Sequence, residues 1–149
     1  MNEAIARQIE EILRRLDQLE ATSTIFYAKG TWVPTYDGTT PGATTYTTQQ
    51  GAYTKIGRVV FAQFELVWTA AAGTGVIRIG GLPFTTLAGT KTPYAVQTVN
   101  VTFANGSEQG VIQGGQVVGQ VFSPATNAAG TELVPEAAGT MRGLIIYFV

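Results

Sequence analysis

Five carboxylates could do chemistry in the larger part of this chain: Asp37, Glu65, Glu108, Glu132 and Glu136. Two converging carboxylates can hydrolyse a glycoside, one protonating the leaving group while the other attacks or activates water. No two of these five have a spacing that predicts convergence, so each reads as a solvated charge or a partner for one of the few cations. His and Cys are both absent. That removes imidazole bases, Ser-His-Asp triads, thiolate nucleophiles and the commonest zinc ligands together. Gly73-Thr74-Gly75 and Gly114-Gly115 do not lead from a strand into a helix, the context a phosphate loop requires, and read as turns. Asn100-Val101-Thr102 and Asn105-Gly106-Ser107 match glycosylation acceptors, but the first lies in an expected strand and no secretory signal precedes either. The expectation is a non-enzyme with no metal and no cofactor.

Flat aromatic faces are the other chemistry on offer, since they stack on sugar rings. Trp32 and Tyr53 are expected to pack in a core or an interface. Tyr36 and Tyr46, set among Thr and Gly, are the candidates for a ligand-binding loop. Charge narrows the partners further. Residues 1–23 hold three Arg and five acidic residues, and the rest of the chain only six basic and five acidic, for a net charge of −1. With no basic patch to neutralise phosphates, nucleic acid and anionic lipid are not expected partners. No apolar run approaches the ~20 residues that span a bilayer.

The elements that must position these residues begin with a helix. Ile5, Ile9, Ile12, Leu16 and Leu19 recur at intervals of four, three, four and three, the heptad rhythm that keeps a narrow seam facing partner helices. Ile9 and Leu16 take a positions and Ile5, Ile12 and Leu19 take d. Arg15 at g and Glu20 at e flank the seam with opposite charges. Ile at both a and d shifts preference from two strands to three or four, and Arg15-Leu16-Asp17-Gln18-Leu19-Glu20 resembles the trimer-specifying pattern of coiled coils. The expectation over residues 1–22 is a trimeric coil roughly 30 Å long, a homotrimer held by Ile5, Ile9, Ile12, Arg15, Leu16, Leu19 and Glu20.

After Thr24 the vocabulary changes to Thr, Gly, Val, Tyr and Phe, suited to half-buried strands and tight turns. Residues 23–29 read as a linker and first strand, and 30–149 as one mainly β domain, a β-sandwich or jelly roll. The clearest strand, 58–69, sets Val60, Ala62, Phe64, Leu66 and Trp68 on a core face. Its other face holds Val59, Phe61 and Val67, enough to expect cover from another sheet or subunit. Further strands are expected at 25–28, 52–56, 75–79, 94–103, 110–112, 116–122 and 141–149, with a hairpin turn at Asn105-Gly106. Polar stretches 34–50 and 123–140 read as long loops. The last strand is apolar on both faces from Leu144 to Val149, and a free end of that kind would invite aggregation. It is expected to be tucked into the sheet or against a threefold axis.

Gly30-Thr31-Trp32-Val33-Pro34-Thr35, Gly51-Ala52-Tyr53-Thr54-Lys55-Ile56-Gly57-Arg58 and Ile77-Arg78-Ile79-Gly80-Gly81-Leu82-Pro83-Phe84 follow one another as in the trimeric jelly-roll tips of bacteriophage fibre and spike proteins, and the β domain resembles that family over residues 30–84. The physical reading agrees: Lys55-Ile56-Gly57-Arg58 suits a hairpin turn, and Gly81-Leu82-Pro83-Phe84 a strand exit fixed by Gly and Pro. The resemblance implies a virion-surface homotrimer, made in the host cytoplasm. Its helical end would dock on another virion protein of capsid or tail, and its β heads would pack about one axis. It transfers no binding site. Two functions follow as expectations: a short fibre, spike or capsid-decorating structural protein, or a receptor-binding tip that recognises host-surface glycans. No tail-docking domain stands before the coil in this sequence, which favours the first.

Overall fold

The computed structural model describes residues 2–22, 26–101, 109–123, 131–132 and 137–149, without the side chains of 19–22, 122–123 and 131–132. The 20-residue helix α1 spans Glu3–Thr22. It starts where it does because Asn2 caps it. The Asn2 carboxamide oxygen accepts from the Ala4 amide at 3.2 Å, and Glu3 puts negative charge in the first turn, where the helix dipole favours it. Glu11 accepts from Arg15 at 3.1 Å, one turn on, an exposed pair worth a few tenths of a kcal/mol.

Among the described residues ten strands follow: β1 Tyr27–Trp32, β2 Thr35–Asp37, β3 Thr44–Ile56, β4 Val59–Ala71, β5 Ile77–Gly80, β6 Lys91–Val99, β7 Gln109–Gln113, β8 Gly119–Ser123, β9 Thr131–Glu132 and β10 Gly139–Phe148. All pair antiparallel, in the order β1-β3-β4-β10-β6-β7-β8-β5-β2, with β9 beside β8. Strand β6 is the corner. Its first part, Lys91 to Tyr94, pairs with β7, and its second part, Ala95 to Val99, pairs with β10, so one sheet curls through it into two halves.

The halves enclose one core. From β4 come Val60, Ala62, Phe64, Leu66 and Trp68, buried as their alternation predicts; Tyr36, Ile77, Ile79, Ile112 and Val121 meet them from the other half. Each fully buried large side chain contributes about 1.5–3 kcal/mol relative to exposure. The Tyr36 ring stacks on Trp68 with centroids 4.0 Å apart and planes inclined 21°. A second regularity runs within each half. Trp32, Tyr53, Phe64, Trp68 and Tyr94 lie directly opposite Gly51, Gly30, Gly143, Gly139 and Gly110 on neighbouring strands. A Cβ at Gly143 or Gly139 would stand 2.6 Å from the Phe64 ring or 2.8 Å from Trp68, so each glycine supplies the space its facing ring fills.

The expected turn before the long strand is present at Gly57-Arg58. Gly57 has φ +57° and Arg58 a negative φ, the pattern of a type II′ hairpin turn. Strand β5 ends at Gly80, and Gly81 (φ +76°) turns the chain out of it, as the Gly-Pro exit predicts. Gly114-Gly115 forms the turn between β7 and β8.

Four expectations need correction. The stretch 34–50 is not one long loop: Thr35–Asp37 pairs with β5, and Thr44 onward belongs to the 13-residue β3. Threonine is polar yet β-branched, so a Thr-rich strand reads as a loop by polarity and as a strand by shape. The stretch 123–140 likewise contains β9 and the start of β10. The first strand begins at Tyr27 and runs to Trp32, later than expected. Asn100, expected within a strand, lies just past β6 with φ +59°. The Asn105-Gly106 turn, Thr102, Ile25, Glu108 and Glu136 lie outside the described residues. The C-terminal strand is tucked into the sheet, paired with β4 from Gly139 to Phe148 and with β6 from Thr140 to Leu144.

Candidate assembly face

Two groups of large apolar side chains stand exposed among the described residues. On α1, Ile5, Ile9, Ile12, Leu13 and Leu16 each keep about half of their surface exposed. Among the described residues nothing in the single chain covers these side chains. Arg15 turns to Glu11 along its own helix. Leu19 and Glu20 belong to α1, but their side chains lie outside the described residues.

The second surface is the outward face of the half-sheet formed by β1, β3, β4, β10 and the end of β6. Register builds it. Tyr27 lies opposite Ile56, Ile56 opposite Val59 and Val59 opposite Phe148, a row crossing four strands. Beside it Phe61 lies opposite Ile146, and next along β10 comes Leu144. Tyr27, Ile56, Phe61, Leu144, Ile146 and Phe148 are 38–60% exposed. Among the described residues no second sheet of this chain covers Phe61. Of the two covers expected for the outer face of β4, the intramolecular one is therefore not found there.

Next to the apolar rows the face sinks into a depression of about 770 Å³, lined by Gly51, Ala52, Ala95 and Gly143 and by Gln50, Gln63, Glu65, Gln97 and Arg142. Ala52 of β3 and Ala95 of β6 are its small outward side chains, and Gly51 of β3 and Gly143 of β10 line it with backbone. Glu65 accepts from Arg142 Nε at 2.7 Å and from Gln50 Nε2 at 2.8 Å. These two donors hold its carboxyl below the ordinary glutamate range. Both of its oxygens are engaged, Oε1 by Arg142 and Oε2 by Gln50. No second carboxylate lines the depression among the described residues, so the paired arrangement that glycoside hydrolysis requires is not assembled there.

Of the other candidate carboxylates, Glu132 lies in β9 with its side chain outside the described residues, and Glu108 and Glu136 lie outside them altogether. Asp37 Oδ1 accepts from the Gly38 and Gly42 amides at 2.8 and 2.9 Å, organising the turn after β2. Tyr36, expected on a ligand-binding loop, is buried at 1% exposure with its ring against Trp68. The Tyr46 hydroxyl accepts from the Tyr36 amide at 2.7 Å and donates to the Tyr36 carbonyl at 3.2 Å. It ties β3 to β2. Trp32 and Tyr53 pack with the core as expected, and Trp32 Nε1 donates to the Gln63 carbonyl at 3.0 Å. Sequence reading missed Tyr27, Ile56 and the Glu65–Arg142 pair. The outward parity of Tyr27 and Ile56 is visible only once β3 is known to extend back to Thr44 and pair with β1.

No family model, curated protein or solved structure matches the chain.

Proposed function

We propose that this chain is a non-enzymatic structural protein of a bacteriophage virion surface: a short trimeric fibre, spike or capsid-decorating protein. Three helices form a parallel coil that docks on another virion protein, and each projects a β-sandwich head of jelly-roll type. The observation that carries the assembly part of this reading is the exposed seam Ile5, Ile9, Ile12 and Leu16, which a monomer would leave in water. The virion assignment rests on the ordered motifs of residues 30–84 behind that seam. The engagement of Asp37 and Glu65 by neighbouring donors supports a non-catalytic role. Host-glycan recognition is the alternative reading, and the packing of Tyr36 and Tyr46 favours the structural one over it.

Labelled antibody on intact particles tests the assignment. Labelling of the particle surface is the expected result, over the capsid for a decorating protein and at one vertex or the tail for a fibre or spike. Particles that purify without the protein contradict it.

A further inference from the structure

We infer that the outward face carrying Tyr27, Ile56, Phe61, Leu144, Ile146 and Phe148 is where the β heads of the copies of this chain pack against one another. The inference rests on the trimer proposed above and adds to it the surface through which the heads associate. Three observations commit the face to a second copy. The first is area. At 38–60% exposure the six side chains present on the order of 600 Å². That is the upper end of what a typical monomer leaves bare, and most of the ~800 Å² that each partner contributes to a stable interface.

The second is continuity. Only four residues separate Thr22, the end of α1, from Tyr27. Covalent geometry keeps those two residues within about 20 Å. Copies joined by the helical seam therefore bring the Tyr27 ends of their sheets together, and the apolar rows start at that end. The third is charge. On this face Glu65 and Arg142 neutralise one another within the chain, and beside the rows Lys29 of β1 and Arg58 of the turn before β4 have no side-chain ion-pair partner among the described residues, Arg58 Nε donating to the Val149 carbonyl oxygen. Bringing these faces together about one axis juxtaposes isolated charges and no block of like charge. A partner recognised through charge would need more than this surface offers.

The test uses the full chain, which has no cysteine of its own. Ile146→Cys places a thiol in the middle of the face. Ala72→Cys places one just past the far end of β4, where Ala72 is exposed. Maleimide labelling of each variant is followed across a dilution series that is also run in the analytical ultracentrifuge. The expected result is labelling at position 146 at least tenfold slower than at position 72 in the trimer, with the difference vanishing on dilution to monomer. Equal rates in a demonstrated trimer overturn the inference and leave the trimer standing. Protection that persists in the monomer means that the chain's own helix covers the face, and also overturns it. A chain that is monomeric at every concentration removes the reading on which the inference rests. In parallel, Ile146→Glu is expected to raise the dissociation midpoint at least tenfold while Ala72→Glu leaves it unchanged. An unaltered midpoint for a folded Ile146→Glu chain contradicts the inference independently.

Discussion

Phe61 of β4 and Ile146 of β10 lie directly opposite one another in the antiparallel ladder, both on the outward face, 38% and 44% exposed. Their inward neighbours, Ala62 opposite Ile145, are fully buried. The same two strands therefore present apolar side chains to both sides, and the described residues of a single chain cover only one of them. Sheets with both faces apolar are ordinarily buried on both. This is the observation behind the proposed division of assembly between the helix and the head.

That division makes a deletion informative. Removing residues 1–22 is expected to weaken self-association by at least tenfold without abolishing it, read by sedimentation over a wide concentration range. Heads that stay monomeric at millimolar concentration would assign all of the association to the helix.

The facing of rings by glycines predicts a cost for the smallest possible enlargement. At Gly143→Ala the new Cβ would lie 2.6 Å from Phe64, in a core with no slack on that side. Overpacking of this kind costs about 1–3 kcal/mol, a Tm lower by roughly 3–10 °C in thermal circular dichroism. An unchanged Tm would mean that Phe64 can move aside freely.

Tyr46→Phe separates a structural tyrosine from a ligand-binding one. It deletes the hydroxyl that meets both the amide and the carbonyl of Tyr36. Leaving that amide without its partner is expected to lower stability by about 1–3 kcal/mol in urea titration. Stability equal to that of the unaltered chain would contradict the bracing role of Tyr46.

Alkaline pH acts on the core through Tyr147. Burial pushes its hydroxyl up from 10.0 to about 12, the amide of Phe84 opposing the shift only partly, and burial raises Tyr94 as well. Because these folded values lie above the unfolded one, the neutral hydroxyls contribute fully below about pH 10, and that contribution is lost as pH rises through 12. Tm is expected to fall over this window, and less steeply for Tyr147→Phe. Parallel curves for the two proteins would remove Tyr147 as a cause.

Acid pH acts on the outer face through Glu65, in the opposite sense. Arg142 and Gln50 lower its carboxyl below 4.5, so the network is complete above that value and is lost as pH falls through the depressed one. A carbon-detected NMR titration is expected to give Glu65 a midpoint below the ordinary glutamate value in the native chain, and to return it towards that value in Arg142→Gln. Identical midpoints would show that Arg142 does not hold the carboxylate.

How much of this is legible in the sequence differs from element to element. Strand β4 announces itself, because strict alternation from Val60 to Trp68 is a local signal, and so do the apolar C-terminal strand and the turn at Gly57. The strands Thr35–Asp37 and Thr44–Gln50 are hidden by threonine, whose hydroxyl imitates a loop composition. The pairing of rings with glycines depends on which strands are neighbours, and β4 meets β10 from far along the chain. Arg142 and Glu65 are 77 residues apart, so no spacing rule links them. Tyr36 looks available to a ligand because its neighbours are Thr and Gly, yet its burial is decided by Trp68 on another strand. The helix Glu3–Thr22 is legible because its apolar period depends only on residues within one element.

Sedimentation equilibrium of the full chain tests the central claim most directly. Across micromolar concentrations the expected result is a species of three times the 15.8 kDa chain mass, dissociating only on strong dilution. A single species of 15.8 kDa throughout that range would contradict it.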